Sequence, residues 1–260
     1  MGVVYAIASA KGGVGKTTTS INVGAGLAAN RGSVLVIEVD LAMANILDFL
    51  ALDFDPDHDP SLHTVLEDKA DPASAIYRVN EGLDVMPSGP DLEGFAASKP
   101  QRLGSVVEAL REQYDFILLD TGAGLSYETL LPLGLADAVV LVSTPRLAAV
   151  RDTKKTKDLT KRIGGEVAGI VFTKSGTGSA PPPDRIAKFL EVEAIGHVPD
   201  DPAVPGAQDR GIPVIAHDIA SPAARAYLDI AEKLARKASN YRSAPMTGGS
   251  DDVEMAQYFS

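Results

Sequence analysis

The chain has 260 residues, a formal net charge of −11 and no cysteine. One large α/β domain fits this length, and the absence of cysteine excludes disulfides and thiolate metal sites. The acidic balance argues against a broad basic face for nucleic acid.

Short apolar runs follow one another along the chain and predict the strands of a sheet. Their near-continuous Val, Ile and Leu, without polar alternation, is typical of strands covered on both faces. Helical patterns between the runs favour right-handed crossovers and a mostly parallel α/β fold. The predicted strands are Val3–Ala8, Val34–Val39, Leu83–Met86, Phe116–Leu119, Ala138–Val142, Val167–Phe172 and Ala194–Val198. The predicted helices are Thr17–Asn30, Gln101–Glu112, Arg146–Ile163 and Ser221–Ala238.

The start of the chain, MGVVYAIAS, has no basic segment before its apolar run. We therefore interpret it as a buried first strand and not as a signal peptide. No run approaches 18 uninterrupted apolar residues, so no membrane-spanning helix is predicted. Together these patterns predict a cytoplasmic protein.

The stretch SAKGGVGKTTTS (Ser9–Ser20) lies between the first predicted strand and the first predicted helix. A strand, a glycine-rich turn and a helix are the context of a phosphate-binding loop. The glycines let backbone N–H groups point at phosphate oxygens, and the helix adds the positive end of its dipole. Lys16 would supply a charge to the β- and γ-phosphates, and the Thr17 hydroxyl would ligate Mg²⁺. The predicted binding residues of this loop are Gly12, Gly13, Val14, Gly15, Lys16, Thr17 and Thr18.

A second lysine, Lys11, precedes Lys16 by five residues. It is either a solvated lysine beside an anionic site or a cation that itself contacts phosphate. The usual pattern GxxxxGK[ST] is also incomplete, because Ala10 stands where its first glycine would be. The residues alone leave both interpretations of Lys11 open.

Two aspartates directly follow or end predicted strands. Asp40 ends the run VLVIEVD, which places its carboxylate at the carboxyl edge of the sheet, where open α/β folds bind ligands. Asp120 follows four apolar residues in YDFILLD. An acid in that position lies beside a metal ion, usually with a water between them. We therefore predict that Asp120 and Thr17 form a Mg²⁺ site.

The segment KGGVGKTT resembles the deviant Walker A signature of the MinD/ParA family of ATPases, in which the extra lysine at the position of Lys11 is diagnostic. The resemblance covers residues 3–238 and is strongest to the MinD branch. It implies a three-layer P-loop NTPase fold with a mostly parallel central sheet flanked by helices. It also implies ATP and Mg²⁺ as cofactors and an ATP-dependent homodimer, in which Lys11 reaches the partner's phosphates. Lys11, Lys16 and Asp40 would then be the catalytic residues.

The same resemblance assigns roles to three further residues. It implies that Asp40 positions or activates water, that Asn45 belongs to switch I, and that the Gly124 N–H contacts the γ-phosphate as part of switch II. Two positions depart from the family pattern. Glu38 stands where relatives often have aspartate, and Gly122 replaces a proline. We expect Gly122 to make its loop more flexible and to alter the coupling between hydrolysis and dimer release.

The segments GIVFTKS and AIGHVPDDPAVPGAQDRGIPV resemble the nucleotide-base end of the family's site. There the resemblance implies that Thr173, Lys174, Pro199 and Asp200 lie next to adenine. Such a base needs one or two polar contacts and apolar walls.

Residues 1–238 are thus the predicted ATPase domain, and the polar, acidic residues 239–260 predict a disordered tail. MinD of bacteria ends in a basic amphipathic helix that inserts into anionic membrane. This tail has one arginine and no apolar stripe, so direct membrane binding is not expected. Basic residues of the third predicted helix are either a local patch for DNA or a solvated face, and we expect no strong nucleic-acid binding. They are Arg151, Lys154, Lys155, Lys157, Lys161 and Arg162.

These features predict an ATP-hydrolysing positioning switch of the MinD type, acting on the division site or polar structures, with slow, partner-stimulated turnover. An unidentified protein partner would recruit it to the membrane or a cell pole. Two alternatives remain open: a partition ATPase acting on chromosome or plasmid DNA, and a nucleotide-dependent scaffold with negligible turnover. The related iron–sulfur carriers are excluded because they bridge clusters with cysteines. The 23 aspartates against 12 glutamates and 12 lysines also predict a halophilic protein.

Overall fold

A computed structural model of the chain describes residues 1–30, 32–89, 92–124, 126–176 and 181–241. Its strands are β1 Val3–Ser9, β2 Val34–Glu38, β3 Tyr77–Asn80, β4 Leu83–Met86, β5 Phe116–Ala123, β6 Ala138–Ser143, β7 Val167–Ser175 and β8 Ala194–Pro199. They form one sheet in the order β3-β4-β2-β5-β1-β6-β7-β8. The β3–β4 pair is antiparallel and the other pairs are parallel.

Helices connect the strands and flank the sheet. They are α1 Lys16–Ala29, α2 Ile46–Phe49, α3 Leu62–Leu66, α4 Leu92–Ala97, α5 Leu103–Leu110, α6 Tyr127–Leu135, α7 Leu147–Arg162, α8 Pro183–Leu190, α9 Ala203–Gln208, α10 Val214–His217 and α11 Pro222–Lys237. Short 3₁₀ turns lie at Pro72–Ala75, Pro100–Arg102 and Ala238–Asn240. Within the described ranges, no helix is long and apolar enough to cross a membrane.

Both faces of the sheet are apolar, and each carries its own layer of helices. In β1, Tyr5 and Ile7 belong to one buried cluster, whereas Val4 and Ala6 belong to the other. The first cluster includes side chains of α1 and α11, and the second includes side chains of α3, α5 and α6. Each fully buried aliphatic side chain contributes roughly 1.5–3 kcal/mol to stability. The predicted three-layer fold is confirmed.

The strand register brings the carboxyl ends of β1, β2 and β5 together. Ile7 in β1 and Glu38 in β2 both lie beside Asp120 in β5. The loop into α1 and the segment that carries Asp40 therefore leave the sheet at the same edge, which is the ligand edge of such folds.

Every predicted strand and helix is present, with ends that differ by a few residues. Among the residues that the structure describes, one strand, β3, and seven helices are additional, namely α2, α3, α4, α6, α8, α9 and α10. The strand β3, with sequence YRVN, has an alternating half-exposed pattern and lies at the edge of the sheet. The helix α6 contains Pro132 in its interior.

The described fold continues slightly beyond the predicted domain boundary at residue 238. The Tyr241 ring packs edge-on against Tyr5, with the ring centroids 5.9 Å apart. The rest of the predicted tail, residues 242–260, lies outside the described residues.

Candidate functional site

The loop between β1 and α1 has a backbone shape that requires glycine. Gly13 and Gly15 have φ angles of 72° and 89°, in the left-handed region that residues with a Cβ rarely adopt. Gly15 is the N-cap of α1, so the first backbone N–H groups of this helix have no intrahelical acceptor and are available to an anion. The Val14 side chain is buried in the core, which leaves only its backbone for a ligand.

Strand β7 supports this loop from the side. The Thr173 hydroxyl donates to the Val14 carbonyl at 2.5 Å, and the Lys174 ammonium donates to the Gly13 carbonyl at 3.2 Å. These contacts join the predicted base end of the site to the phosphate loop.

A cleft of about 850 Å³ opens at the carboxyl edge of the sheet, a volume in the range of ligand-binding pockets. Four of the predicted site residues do not line it: Lys11, Val14, Asp120 and Gly124. The other predicted residues do, namely Gly12, Gly13, Gly15, Lys16, Thr17, Thr18, Asp40, Asn45, Thr173, Lys174, Pro199 and Asp200.

Lys16 is a buried cation of the cleft, and only 9% of the residue is exposed. Burial lowers the pKa of its ammonium group, while the nearby carboxylates of Asp120 and Asp40 oppose that shift. A charge held in such a water-poor site interacts with phosphate more strongly than a charge in solvent.

Asp120 lies beneath the cleft, buried at the end of the β5 core. The Ser20 hydroxyl donates to its Oδ1 at 2.8 Å, and the Thr17 hydroxyl also donates to the carboxylate. Burial raises the pKa of Asp120 to about 6, while the bonds from Thr17 and Ser20 and the charge of Lys16 oppose the rise. A carboxylate and a hydroxyl are oxygen ligands of the kind that Mg²⁺ prefers, so these residues fit that ion.

Asp40 is half-buried at the rim, close to Lys16. Burial raises the pKa of its carboxyl group, and the Lys16 charge and the Met43 N–H oppose the rise. Gly122 lies in β5 directly against this carboxylate, since a Cβ at position 122 would be 3.1 Å from Asp40 Oδ1. Gly122 is therefore part of a strand and not, as expected, of a flexible loop.

Glu38 has a structural role that the sequence did not reveal. Its carboxylate is fully buried and accepts N–H bonds from Ile46 at 2.8 Å, from Ser88 at 3.0 Å and from Asn45. These hydrogen bonds connect the predicted switch I segment at Asn45 to Ser88, which follows β4. Burial raises the pKa of Glu38 to about 7, although the three N–H groups oppose the rise.

The cleft also includes residues that sequence reasoning missed. Val204, Pro205 and Gln208 line it from α9, and Tyr227 lines it from α11. The Gln208 amide donates to the Thr18 hydroxyl at 3.3 Å. Because α9 is short and contains an internal proline, it has no helical periodicity that could have indicated these residues.

Comparisons with known proteins agree with this geometry. Residues 2–165 match the family described as AAA domain. An uncharacterized ATP-binding protein of Methanocaldococcus jannaschii is 37% identical over 90% of this chain and 88% of its own. The crystal structure of the Pyrococcus furiosus cell division ATPase MinD is 32% identical, covers 91% of this chain and 99% of its own, and has a TM-score of 0.86.

The chain belongs to the MinD/ParA family of ATPases. A second solved relative, the septum site-determining protein MinD of Pyrococcus horikoshii, is complexed with Mg-ADP. It is 29% identical, covers 94% of this chain and all of its own, and has a TM-score of 0.87.

The signature lysine of the MinD/ParA family, Lys11, lies apart from the other predicted catalytic residues. It is exposed, and the cleft that Lys16 and Asp40 line does not include it. Its backbone N–H donates to the Ser9 hydroxyl at 3.2 Å. Gly124 of the predicted switch II also lies outside the cleft lining, although its neighbours Ala123 and Ser126 line it.

Helix α7 of this MinD/ParA protein carries the six basic residues that were considered as a patch for DNA, and three of them have partners within the protein. Lys154 and Lys155 form ion pairs with Asp158 and Asp152 at 2.8 and 3.3 Å. Lys157 is buried and donates to the Leu190 carbonyl at 2.6 Å. Half of the six candidate DNA-binding cations in α7 are thus paired with an aspartate or turned inward.

Proposed function

We propose that this protein binds ATP with Mg²⁺ in the cleft, forms a homodimer in that state, and hydrolyses the ATP to return to the monomer. Family membership and the complex of a similar MinD with Mg-ADP support the nucleotide and the ion. The observation that carries the dimerisation proposal is the separation of two lysines. Lys16 lies inside the cleft, whereas Lys11 is on the same loop but outside it and exposed.

The phosphate loop binds and orients the triphosphate. The N–H groups around Gly13 and Gly15 and at the N-terminus of α1 donate hydrogen bonds to the phosphate oxygens, and Lys16 neutralises charge on the β- and γ-oxygens. Mg²⁺, held by the Thr17 hydroxyl and through water by Asp120, would supply further positive charge at these oxygens. At the other end, Thr173, Lys174, Pro199 and Asp200 surround the adenine.

Hydrolysis requires a positioned water at the rim, where Asp40 and Asn45 lie. Burial gives the Asp40 carboxylate a raised pKa, which makes it a better proton acceptor than a free aspartate. The Asn45 amide oxygen is buried and has no hydrogen-bond partner in the described part of the chain, so it is able to accept a hydrogen bond from the same water. In this proposal Asp40 orients or activates the water and Asn45 holds it.

Lys11 completes the site of a second subunit. Its exposed ammonium group contacts the partner's phosphates in the ATP-bound dimer, where it stabilises charge that develops on the phosphoryl oxygens. Turnover is slow in the monomer because this cation is missing there. A partner protein that favours the dimer would therefore stimulate hydrolysis.

The experiment compares Lys11→Ala with Lys161→Ala, which removes an exposed lysine of α7. Both changes are made in the Asp40→Ala background so that ATP stays bound. Light scattering measures the dimer fraction at equal nucleotide occupancy. We expect Lys11→Ala to abolish ATP-dependent dimerisation and Lys161→Ala to leave it intact. Equal dimer fractions in the two variants would refute the role across the interface.

We further propose a positioning role, in which an unidentified protein partner recruits the dimer to the membrane or a cell pole. The burial of Lys157 and the aspartates beside Lys154 and Lys155 disfavour the partition alternative, for which salt-dependent DNA binding is the test. A scaffold with negligible turnover would show no hydrolysis in single-turnover assays, with or without cell extract. Pull-down with an ATP-locked Asp40→Ala variant identifies the partner.

A further inference from the structure

Thr156 of α7 connects this helix to the start of the phosphate loop. Its side chain is buried, and its hydroxyl accepts the backbone N–H of Ala10 at 3.1 Å. The same hydroxyl donates to the Asp152 carbonyl one helical turn earlier, at 3.2 Å. A single side chain therefore satisfies a part-buried amide that is 146 residues away in the sequence.

The contact lies next to the signature lysine. Lys11 N–H is held by the Ser9 hydroxyl at 3.2 Å, so the amides of two consecutive residues, 10 and 11, are both fixed by hydroxyl groups. Ala10 also carries a Cβ where the usual loop has glycine, which narrows its backbone freedom. Together these restraints hold the backbone from which the Lys11 side chain leaves the loop.

We propose that Thr156 is a positioning residue for Lys11, acting through the Ala10 amide. The inference rests on the proposed function, in which Lys11 acts across the dimer interface. Without the Thr156 hydroxyl, the Ala10 amide loses its acceptor and the segment before Gly12 is free to change conformation. The interior of the loop keeps its own supports, because Val14 and Gly13 are held by β7. The monomer's affinity for ATP should therefore stay unchanged while dimerisation weakens.

The test uses three variants in the Asp40→Ala background. Thr156→Val keeps the shape and removes the hydroxyl, and Thr156→Ser restores the hydroxyl. Thr160→Val is the matched control, because Thr160 is equally buried on the same helix and its hydroxyl donates to the Thr156 carbonyl within that helix. Sedimentation gives the dimer dissociation constant with ATP, a fluorescent ATP analogue gives the monomer's affinity, and hydrogen exchange follows the Ala10 amide.

We expect Thr156→Val to weaken dimerisation roughly tenfold, as the loss of a buried hydrogen-bond acceptor implies, and to speed exchange at Ala10. Thr156→Ser and Thr160→Val should match the parent in every measurement. Normal dimerisation of Thr156→Val would overturn this inference, as would equal weakening by Thr156→Ser or Thr160→Val. Normal dimerisation of Lys11→Ala would instead overturn the proposed function on which it rests.

Discussion

Glu38 should make the stability of this protein depend on pH. Its carboxyl group is fully buried, and burial raises its pKa from 4.5 to about 7. Between these values the folded chain holds a proton that the unfolded chain releases. The stabilising contribution of this group is therefore complete below pH 4.5 and lost as the pH rises through about 7. From about pH 5 to pH 8 the loss amounts to roughly 2–3 kcal/mol.

The variant that tests this is Glu38→Gln, which removes the titrating carboxyl group and keeps the size and shape of the side chain. The glutamine amide resembles the protonated acid, since it presents one carbonyl oxygen to the N–H groups of Asn45 and Ile46. Chemical denaturation followed by circular dichroism gives the free energy of unfolding of parent and variant. The solutions contain EDTA and no nucleotide, and their ionic strength is constant.

We expect the free energy of unfolding of the parent to fall relative to Glu38→Gln by roughly 2–3 kcal/mol between about pH 5 and pH 8. Glu81→Gln, which changes an exposed glutamate, should show no such trend and serves as the control. A parent-to-variant difference that is constant with pH would refute the reasoning about Glu38.

Three further predictions concern the site and the tail. Lys16→Ala should weaken ATP–Mg²⁺ binding at least tenfold by calorimetry, because it removes a buried cation of the cleft; parent-like affinity would refute the phosphate-loop interpretation. Asp40→Ala should keep ATP binding and slow hydrolysis by about a hundredfold. Unchanged turnover, measured in high-salt buffer, would refute the proposed role of Asp40 in hydrolysis. Deletion of residues 242–260, which leaves the Tyr241 contact with Tyr5 in place, should change neither the circular dichroism spectrum nor flotation with anionic vesicles. Loss of vesicle association on that deletion would indicate that the tail binds a partner or the membrane.

The strands and helices that could be predicted from the sequence are those whose local pattern of apolar residues matches their burial in the fold. The central strands are apolar on both faces, so each is a continuous apolar run that differs from the periodic pattern of the helices between them. The edge strand β3 has one half-exposed face and only four residues, which leaves no such run. The helix α6 escaped prediction because Pro132 and Gly134 interrupt its pattern.

In the candidate site too, residues that are close in sequence could be predicted, whereas residues that only the fold brings together could not. The phosphate loop is contiguous in sequence, and its glycines and Lys16 are recognisable from their spacing. Glu38 was noted only as a departure from aspartate, because its partners Asn45, Ile46 and Ser88 come together only in the folded chain. Gln208 is likewise brought to the site only by the fold, because it lies on the short helix α9, far from the phosphate loop in sequence.

The central claim, that Lys11 acts on the nucleotide of the other subunit, has a direct test in mixed dimers. Lys11→Ala subunits keep Asp40 and Lys16, and Asp40→Ala subunits keep Lys11, so each preparation alone should hydrolyse ATP poorly. A dimer that pairs the two variants has one site with all three residues if Lys11 acts in trans, because the Asp40→Ala subunit supplies Lys11 to the site of the Lys11→Ala subunit. We predict that the mixture hydrolyses ATP faster than either preparation alone. Failure of the mixture to exceed the two separate preparations, with mixed dimers shown to form, would contradict it.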